Sequence, residues 1–194
     1  MGLSNNLSGD GSSPDFAPGE KFIDPDAIIK LLNLPSGIVV ADFGCGTGYF
    51  SLPIARQIGG KGIVYALDVL TDKLEVVESQ AKTQGITNVL TKRVNLENKN
   101  GSKLEPDSMD WVILKDMLFQ NKNKGQIMEE AKRVLKPGGK VLLIEWKKGD
   151  TSIGPDIGLR MSIEEIKDMV QKSALGIDHE IDAGNFHYGL ILVK

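Results

Sequence analysis

Glycines stand at alternate positions, Gly44, Gly46 and Gly48, directly after an apolar run at residues 38–43. Without side chains, such a loop lets backbone N–H groups come close to a ligand at the start of the next helix. A tight strand-to-helix turn would also use glycine, but one turn does not need three of them. The spacing selects among ligands. A dinucleotide loop reads Gly-x-Gly-x-x-Gly, and counted from Gly44 its third glycine falls on Tyr49. Asp42, two residues upstream, would repel a pyrophosphate but suits a ligand carrying positive charge. Asp68 ends the next apolar run, twenty residues after Gly48, where a carboxylate can accept from both hydroxyls of a ribose.

Other polar residues fall where an open sheet collects its ligands. Lys115 and Asp116 follow the fourth apolar run, as a polar pair at the site or as a surface ion pair at a helix start. His187 lies in the loop opening the last strand pair, which places it at the rim of the site. It reads either as a base acting near neutral pH or as a structural histidine. Cys45 suits close packing in the loop and has no histidine neighbour to activate it. His179 falls inside a strand and receives no role. Trp146 and residues 147–160 leave the fifth run as a substrate lid or as an ordinary connection.

The elements that must position these residues follow from periodicity. Residues 38–43, 63–67, 89–94, 111–114 and 141–144 are short, β-branched and apolar, and read as buried strands. Helices fit residues 49–58, 71–83 and 125–135 between them. A further helix opens with Asp24 as its cap and Pro25 in its first turn, with Ile28, Ile29, Leu31 and Leu32 on its apolar face. Pro35 and Gly37 stop it. Pro137, Gly138 and Gly139 predict a turn into the fifth strand. Ser162 and Glu165 form a capping box, Ile163, Ile166, Met169 and Val170 give that helix its stripe, and Gly176 ends it. Strands at 177–181 and 188–193 are too close for a parallel crossover and must form an antiparallel hairpin. The fold class expected is α/β, a three-layer doubly wound sheet with helices on both faces.

Of 194 residues, 41% are hydrophobic and 25% charged, values of an ordinary soluble domain. Residues 22–194 form one domain and 1–21, polar and rich in Ser, Asn and Gly, a flexible segment. The net charge of −3 offers no pull towards a polyanion, so no nucleic acid is expected as partner. No apolar run approaches the roughly 20 residues of a membrane span, and the N-terminus lacks the pattern of a signal peptide. With a single cysteine, no internal disulfide can form, and the cytoplasm is the expected compartment. No metal site is expected.

The run Val40-Ala41-Asp42-Phe43-Gly44-Cys45-Gly46-Thr47-Gly48 resembles the first motif of the class I S-adenosylmethionine-dependent methyltransferases. Asp68, Asp110-Trp111-Val112 and Leu135-Lys136-Pro137-Gly138-Gly139 stand in register with it. The closest likeness is to the small type 11, ubiquinone/menaquinone-biosynthesis-like group. The resemblance implies seven strands in the order 3-2-1-4-5-7-6 with the last antiparallel, and S-adenosylmethionine as cofactor, S-adenosylhomocysteine as product. It implies that Asp42, Phe43, Gly44, Cys45, Gly46, Thr47 and Gly48 hold the amino-acid end and that Asp68 takes the ribose hydroxyls. Val69 and Leu70 would pack on the adenine, and Asn95 and Leu96 would meet its edge, Asn95 standing where the family often has an acid. Leu114 and Lys115 would line the sulfonium region.

Methyl transfer needs alignment, exclusion of water and sometimes removal of a proton, so a catalytic residue need not be visible; Lys115, Asp116 and His187 are the candidates. The Asn/Asp-Pro-Pro-aromatic motif of enzymes acting on planar amino groups is absent after the fourth strand, where the chain has Lys115-Asp116-Met117-Leu118. A small molecule or an exposed protein side chain is the acceptor expected, and Phe16 and Phe22 are placed to close over it. The competing readings are a non-catalytic S-adenosylmethionine-binding protein acting through a partner, and a nicotinamide-dependent oxidoreductase, which Tyr49 and Asp42 oppose.

Overall fold

In the computed structural model, which describes residues 22–149 and 153–194, twelve elements follow one another along the chain. They are α1 (Pro25–Leu32), β1 (Val39–Phe43), α2 (Ser51–Ile58), β2 (Ile63–Asp68), α3 (Thr71–Thr83), β3 (Val89–Arg93), β4 (Met109–Lys115), α4 (Lys124–Val134), β5 (Leu135–Trp146), α5 (Ile163–Lys172), β6 (Gly176–Asp182) and β7 (His187–Val193). The expected mobility of residues 1–21, the placement of Phe16 and part of the 147–160 connection lie outside the described residues. Caps set several boundaries. Asp24 accepts from the Ala27 N–H at 3.2 Å to start α1, and Ser162 with Glu165 completes the capping box of α5.

The strands form one sheet in the order β3-β2-β1-β4-β5-β7-β6. All pairings are parallel except those of β7, which runs antiparallel to both β5 and β6. The order reverses between β1 and β4, and a ligand crevice belongs at the carboxyl ends of the strands there. Because side chains alternate across a strand, each central strand feeds two cores. Phe43, Leu114, Leu143 and Leu190 face α4 and α5 through Ile127, Met128, Ile166 and Val170. Val40, Ile113, Leu142 and Ile191 face α1 and α2 through Ile28, Ile29, Ile54 and Ile58. Burying each of these side chains contributes roughly 1.5–3 kcal/mol.

The structure departs from the sequence-based expectations at boundaries and edges. Leu31 is 68% exposed, on the outer side of α1. Asn33, in the left-handed region at φ 47°, ends that helix before Pro35 is reached. The second helix begins at Ser51 because residues 44–50 are consumed by the glycine turn. β3 lies at the sheet edge, so Leu90 is half exposed where a buried strand was expected. Pro137, Gly138 and Gly139 lie within β5, which starts at Leu135, pairs Leu135 with Met109 and shifts register before Trp111. Gly138 donates to the Lys194 carbonyl and the Lys194 N–H to Gly139, so β7's end holds this bulged stretch. Ser173 ends α5, Ala174 takes the left-handed turn at φ 53°, and Gly176 instead opens β6.

Candidate active site

A cavity of about 340 Å³ opens at the carboxyl ends of the strands beside the glycine loop, within the roughly 300–1,000 Å³ of small-molecule sites. The loop after β1 is folded by its own backbone. Gly44 and Cys45 N–H both donate to the Leu67 carbonyl, and Gly48 N–H donates to Cys45. Gly44, Gly46 and Gly48 have φ of 72°, 52° and 87°, conformations that side chains resist. The glycines therefore serve the turn as well as proximity. A Cβ on Gly44 would come within 2.0 Å of the Met117 sulfur, so this close approach also fixes one wall.

Asp68 joins that loop to β2. Its Oδ2 accepts from Gly46 N–H and its Oδ1 from Leu70 N–H, both at 2.9 Å. Each carboxylate oxygen retains a second acceptor site, and the residue lines the cavity. Val69 and Leu70, each 51% exposed, form an apolar ledge on the same wall. Asn95 and Leu96 also line the cavity, following β3 beside Asp68, and Asn95 Oδ1 already accepts from Glu97 N–H at 3.0 Å.

Of the remaining residues assigned to the cofactor, Asp42, Phe43, Cys45 and Leu114 are buried behind the cavity surface. Phe43 and Leu114 are core side chains, and Cys45 packs with Leu74 and Val77, its thiol pushed up by burial. Thr47 and Gly48 border a neighbouring hollow with Pro25 and Tyr49. Asp42 is 3% exposed and accepts from Ser51 Oγ at 2.5 Å, beneath the loop. Burial, opposed by the Ser51 bond, raises its carboxyl to about 6. A pKa raised by folding means that stability is greatest when the group is protonated and is lost as pH rises from about 4 to about 6. Asp42→Asn is therefore expected to gain about 2 kcal/mol on the wild type between pH 4.5 and pH 7.5, or roughly 4–8 °C in relative Tm. Thermal melts of both proteins at the two pH values test this.

Several wall residues carry no signal in the sequence alone. Lys73, Val94, Glu97, Met117, Gln120 and Asn121 complete the cavity. Glu97 spans two walls: its Oε1 accepts from Lys122 and Asn123 N–H at 2.7 Å, and Asn123 Nδ2 donates to its carbonyl. Buried Glu130 accepts from the Ser102 backbone and hydroxyl and binds Arg133, pinning the loop behind this wall. Lys73 could have been suspected from its place one turn into the helix after Asp68. Glu97 looks like any charged loop residue.

The three candidates for proton handling, far apart in sequence, meet beyond the end of β4. Lys115 Nζ pairs with Asp116 Oδ2 and lies 5.6 Å from the centre of the Tyr49 ring. Asp116 adopts φ 55°, a costly conformation for a residue with a side chain. His187 Nε2 is 3.3 Å from Asp116 Oδ1, off the line of a good hydrogen bond. Burial alone would raise the Asp116 carboxyl, but His187 and Lys115 outweigh it and hold it below its usual range. Burial lowers His187 against the pull of Asp116. The expectation that His187 sits in a rim loop is corrected: it is the first residue of β7, 1% exposed, because pairing with Trp146 draws it into the sheet. Its ring lies 4.0 Å from Trp146 and 5.5 Å from Phe22. On both sides of residues 150–152 the described part of the connection gathers on Arg160, which is 4% exposed and donates to the carbonyls of Lys147, Gly149, Ile153 and Pro155.

A carboxylate at the second strand's end, an exposed apolar ledge beside it and a glycine turn suit a nucleoside joined to an amino acid. The comparisons agree. The chain belongs to the methyltransferase-domain family, whose model matches residues 34–187. It falls within the class I S-adenosylmethionine-dependent methyltransferases, whose cofactor is S-adenosylmethionine. It is similar to the demethylmenaquinone methyltransferase of Bacillus pumilus, 30% identical over 122 residues, 62% of this chain and 50% of that protein. The Listeria welshimeri enzyme of the same name is 34% identical over 119 residues, 60% and 48% of the two chains. The chain thus spans about half the length of these relatives. Among solved structures, a SAM-dependent methyltransferase from Aquifex aeolicus superposes with a TM-score of 0.81 at 23% identity, over 89% and 90% of the two chains. Phosphoethanolamine N-methyltransferase 2 of Haemonchus contortus, in complex with S-adenosylmethionine, gives 0.71 at 16%, over 87% and 52%. These two likenesses establish the fold. Among the described residues, no helix is long and apolar enough to cross a membrane.

Proposed function

We propose that the chain methylates a small, flat, largely apolar acceptor, bound at the edge formed by Lys115, Asp116 and Trp146. The observation that carries this reading is the convergence of Lys115, Asp116 and His187 beside the aromatic group of Phe22, Trp146 and Phe186. That edge continues from the wall at Met117, so an acceptor there would face the cofactor cavity. The curated relatives' name, demethylmenaquinone methyltransferase, supports a small-molecule acceptor of this shape. S-Adenosylmethionine supplies an electrophilic methyl group when bound.

The chain's residues would do the rest by binding and orientation. We assign the ribose hydroxyls to Asp68 and the adenine face to Val69 and Leu70, with Asn95 and Leu96 at its edge. Asp116, held ionised between Lys115 and His187, accepts a hydrogen bond from an acceptor O–H or N–H and aligns its nucleophilic atom. As the acceptor's nucleophilic atom takes the methyl group, its proton passes to the Asp116 carboxylate, and Lys115 stabilises the negative charge that develops on the way. The aromatic side chains and the Arg160-bound connection exclude water from the edge.

Isothermal titration with S-adenosylmethionine and S-adenosylhomocysteine, followed by transfer of labelled methyl to demethylated quinones and other flat phenols or enols, tests the proposal. Binding with turnover of one of these supports it. Binding with no turnover across the set favours the non-catalytic reading, and failure to bind either nucleoside overturns both.

A further inference from the structure

Glu145, the penultimate residue of β5, is 1% exposed and has no part in the chemistry above. Its Oε1 accepts from the Leu118 N–H at 2.5 Å, across to the turn that follows β4. Its Oε2 is equally buried and has no hydrogen-bond partner among the described residues. The turn at 116–121 starts from the left-handed Asp116 and supplies Met117, Gln120 and Asn121 to the cofactor cavity. Met117 also abuts Gly44 across the crevice. One buried carboxyl thus anchors the segment that joins the cofactor wall to the acceptor edge.

We infer that Glu145 is a positioning residue that sets the cofactor cavity by holding the 116–121 turn against β5 through its buried carboxyl group. The inference rests on the cavity being the S-adenosylmethionine site. The groups facing Glu145 are Asp116 from β4's end, Lys124 from α4 and Tyr188 from β7. Burial dominates, with Asp116 adding to it and the Leu118 and Phe119 N–H groups and Lys124 opposing, and the carboxyl is pushed up to about 8. When it ionises, the orphaned oxygen requires water that the closed turn excludes. The closed turn is therefore progressively disfavoured as pH rises from about 4.5 to about 8, and a ligand that needs it closed takes up a proton on binding within that range.

Titration of S-adenosylhomocysteine into wild type is expected to show affinity about tenfold weaker at pH 9.5 than at pH 6.5. Glu145→Gln, which keeps the acceptor and cannot ionise, is expected to bind equally at both pH values. Glu145→Leu, which removes the anchor, is expected to bind weakly at both. Equal pH dependence in wild type and Glu145→Gln, or undiminished binding by Glu145→Leu, overturns the inference. Amide exchange at 117–121 in the free proteins gives an answer that needs no ligand. After correction for intrinsic rates, protection is lost at pH 9.5 in wild type and kept in Glu145→Gln; the same loss in both again overturns it. Should S-adenosylhomocysteine bind at neither pH, the cofactor reading fails, and amide exchange alone decides the role of Glu145.

Discussion

Asp68→Ala is expected to weaken S-adenosylhomocysteine binding by about 10- to 100-fold. A hydrogen bond to a charged acceptor contributes roughly 1.5–3 kcal/mol, and the ribose would lose its carboxylate. The same substitution removes the acceptor of Gly46 and Leu70 N–H, so part of the loss would arise from a loosened glycine turn. Two further measurements separate the contributions. Adenosine, which shares the ribose but lacks the amino-acid end, is expected to lose affinity by a similar factor if the contact is to the ribose. Asp68→Asn keeps one acceptor oxygen and is expected to fall between wild type and Asp68→Ala. Unchanged affinity in Asp68→Ala by calorimetry would remove this residue from the site.

Arg160→Ala is expected to destabilise the protein by about 3–5 kcal/mol, lowering Tm by roughly 6–20 °C. The guanidinium is buried, donates to the carbonyls of Lys147, Gly149, Ile153 and Pro155, and lies 5.6 Å from the centre of the Trp146 ring. Removing it strands these part-buried acceptors and leaves a hole where a buried side chain stood. Arg160→Lys is expected to recover little, since a single ammonium cannot span a planar set of donors. Trp146 reports the same event: its emission in Arg160→Ala is expected to shift to the red as the connection leaves the ring. A melt within 2 °C of wild type would show that the knot is not held by this residue. Gly154 makes the packing tight from the other side, since a Cβ there would fall 2.5 Å from the indole.

The parts of this molecule that were legible beforehand are those whose signal is local. The glycine loop, Asp68 and the strand runs announce themselves by spacing, and the final hairpin follows from a connection too short for a crossover. What escaped depends on partners distant in sequence. Leu31 carries the helical period yet faces outward, because α1 packs on α2 along a narrower stripe than its apolar residues cover. Pro137-Gly138-Gly139 has the composition of a turn, but β7's last residues bond to it and keep it in the sheet. In the sequence His187 reads as a loop residue because its pairing with Trp146, forty-one residues away, leaves no trace nearby. Glu145 and Glu97 were missed for a related reason. A carboxylate that binds backbone N–H groups looks, in a sequence, like one that faces water.

The reversed direction of β7 has a consequence for how this scaffold can change. Because β7 runs against its neighbours, its first residue, His187, arrives at the same edge as the last residues of β4 and β5. The walls of the cavity beside the glycine loop are drawn chiefly from residues 44–97, whereas the proposed acceptor edge is drawn mainly from 115–187. On the proposed assignment, donor and acceptor contacts thus come from consecutive, nearly separate stretches of chain that share the turn at 116–121. On that proposal, exchanging the acceptor requires rewriting Lys115, Asp116 and Trp146 together with the residues around His187, while the glycine loop and Asp68 stay as they are.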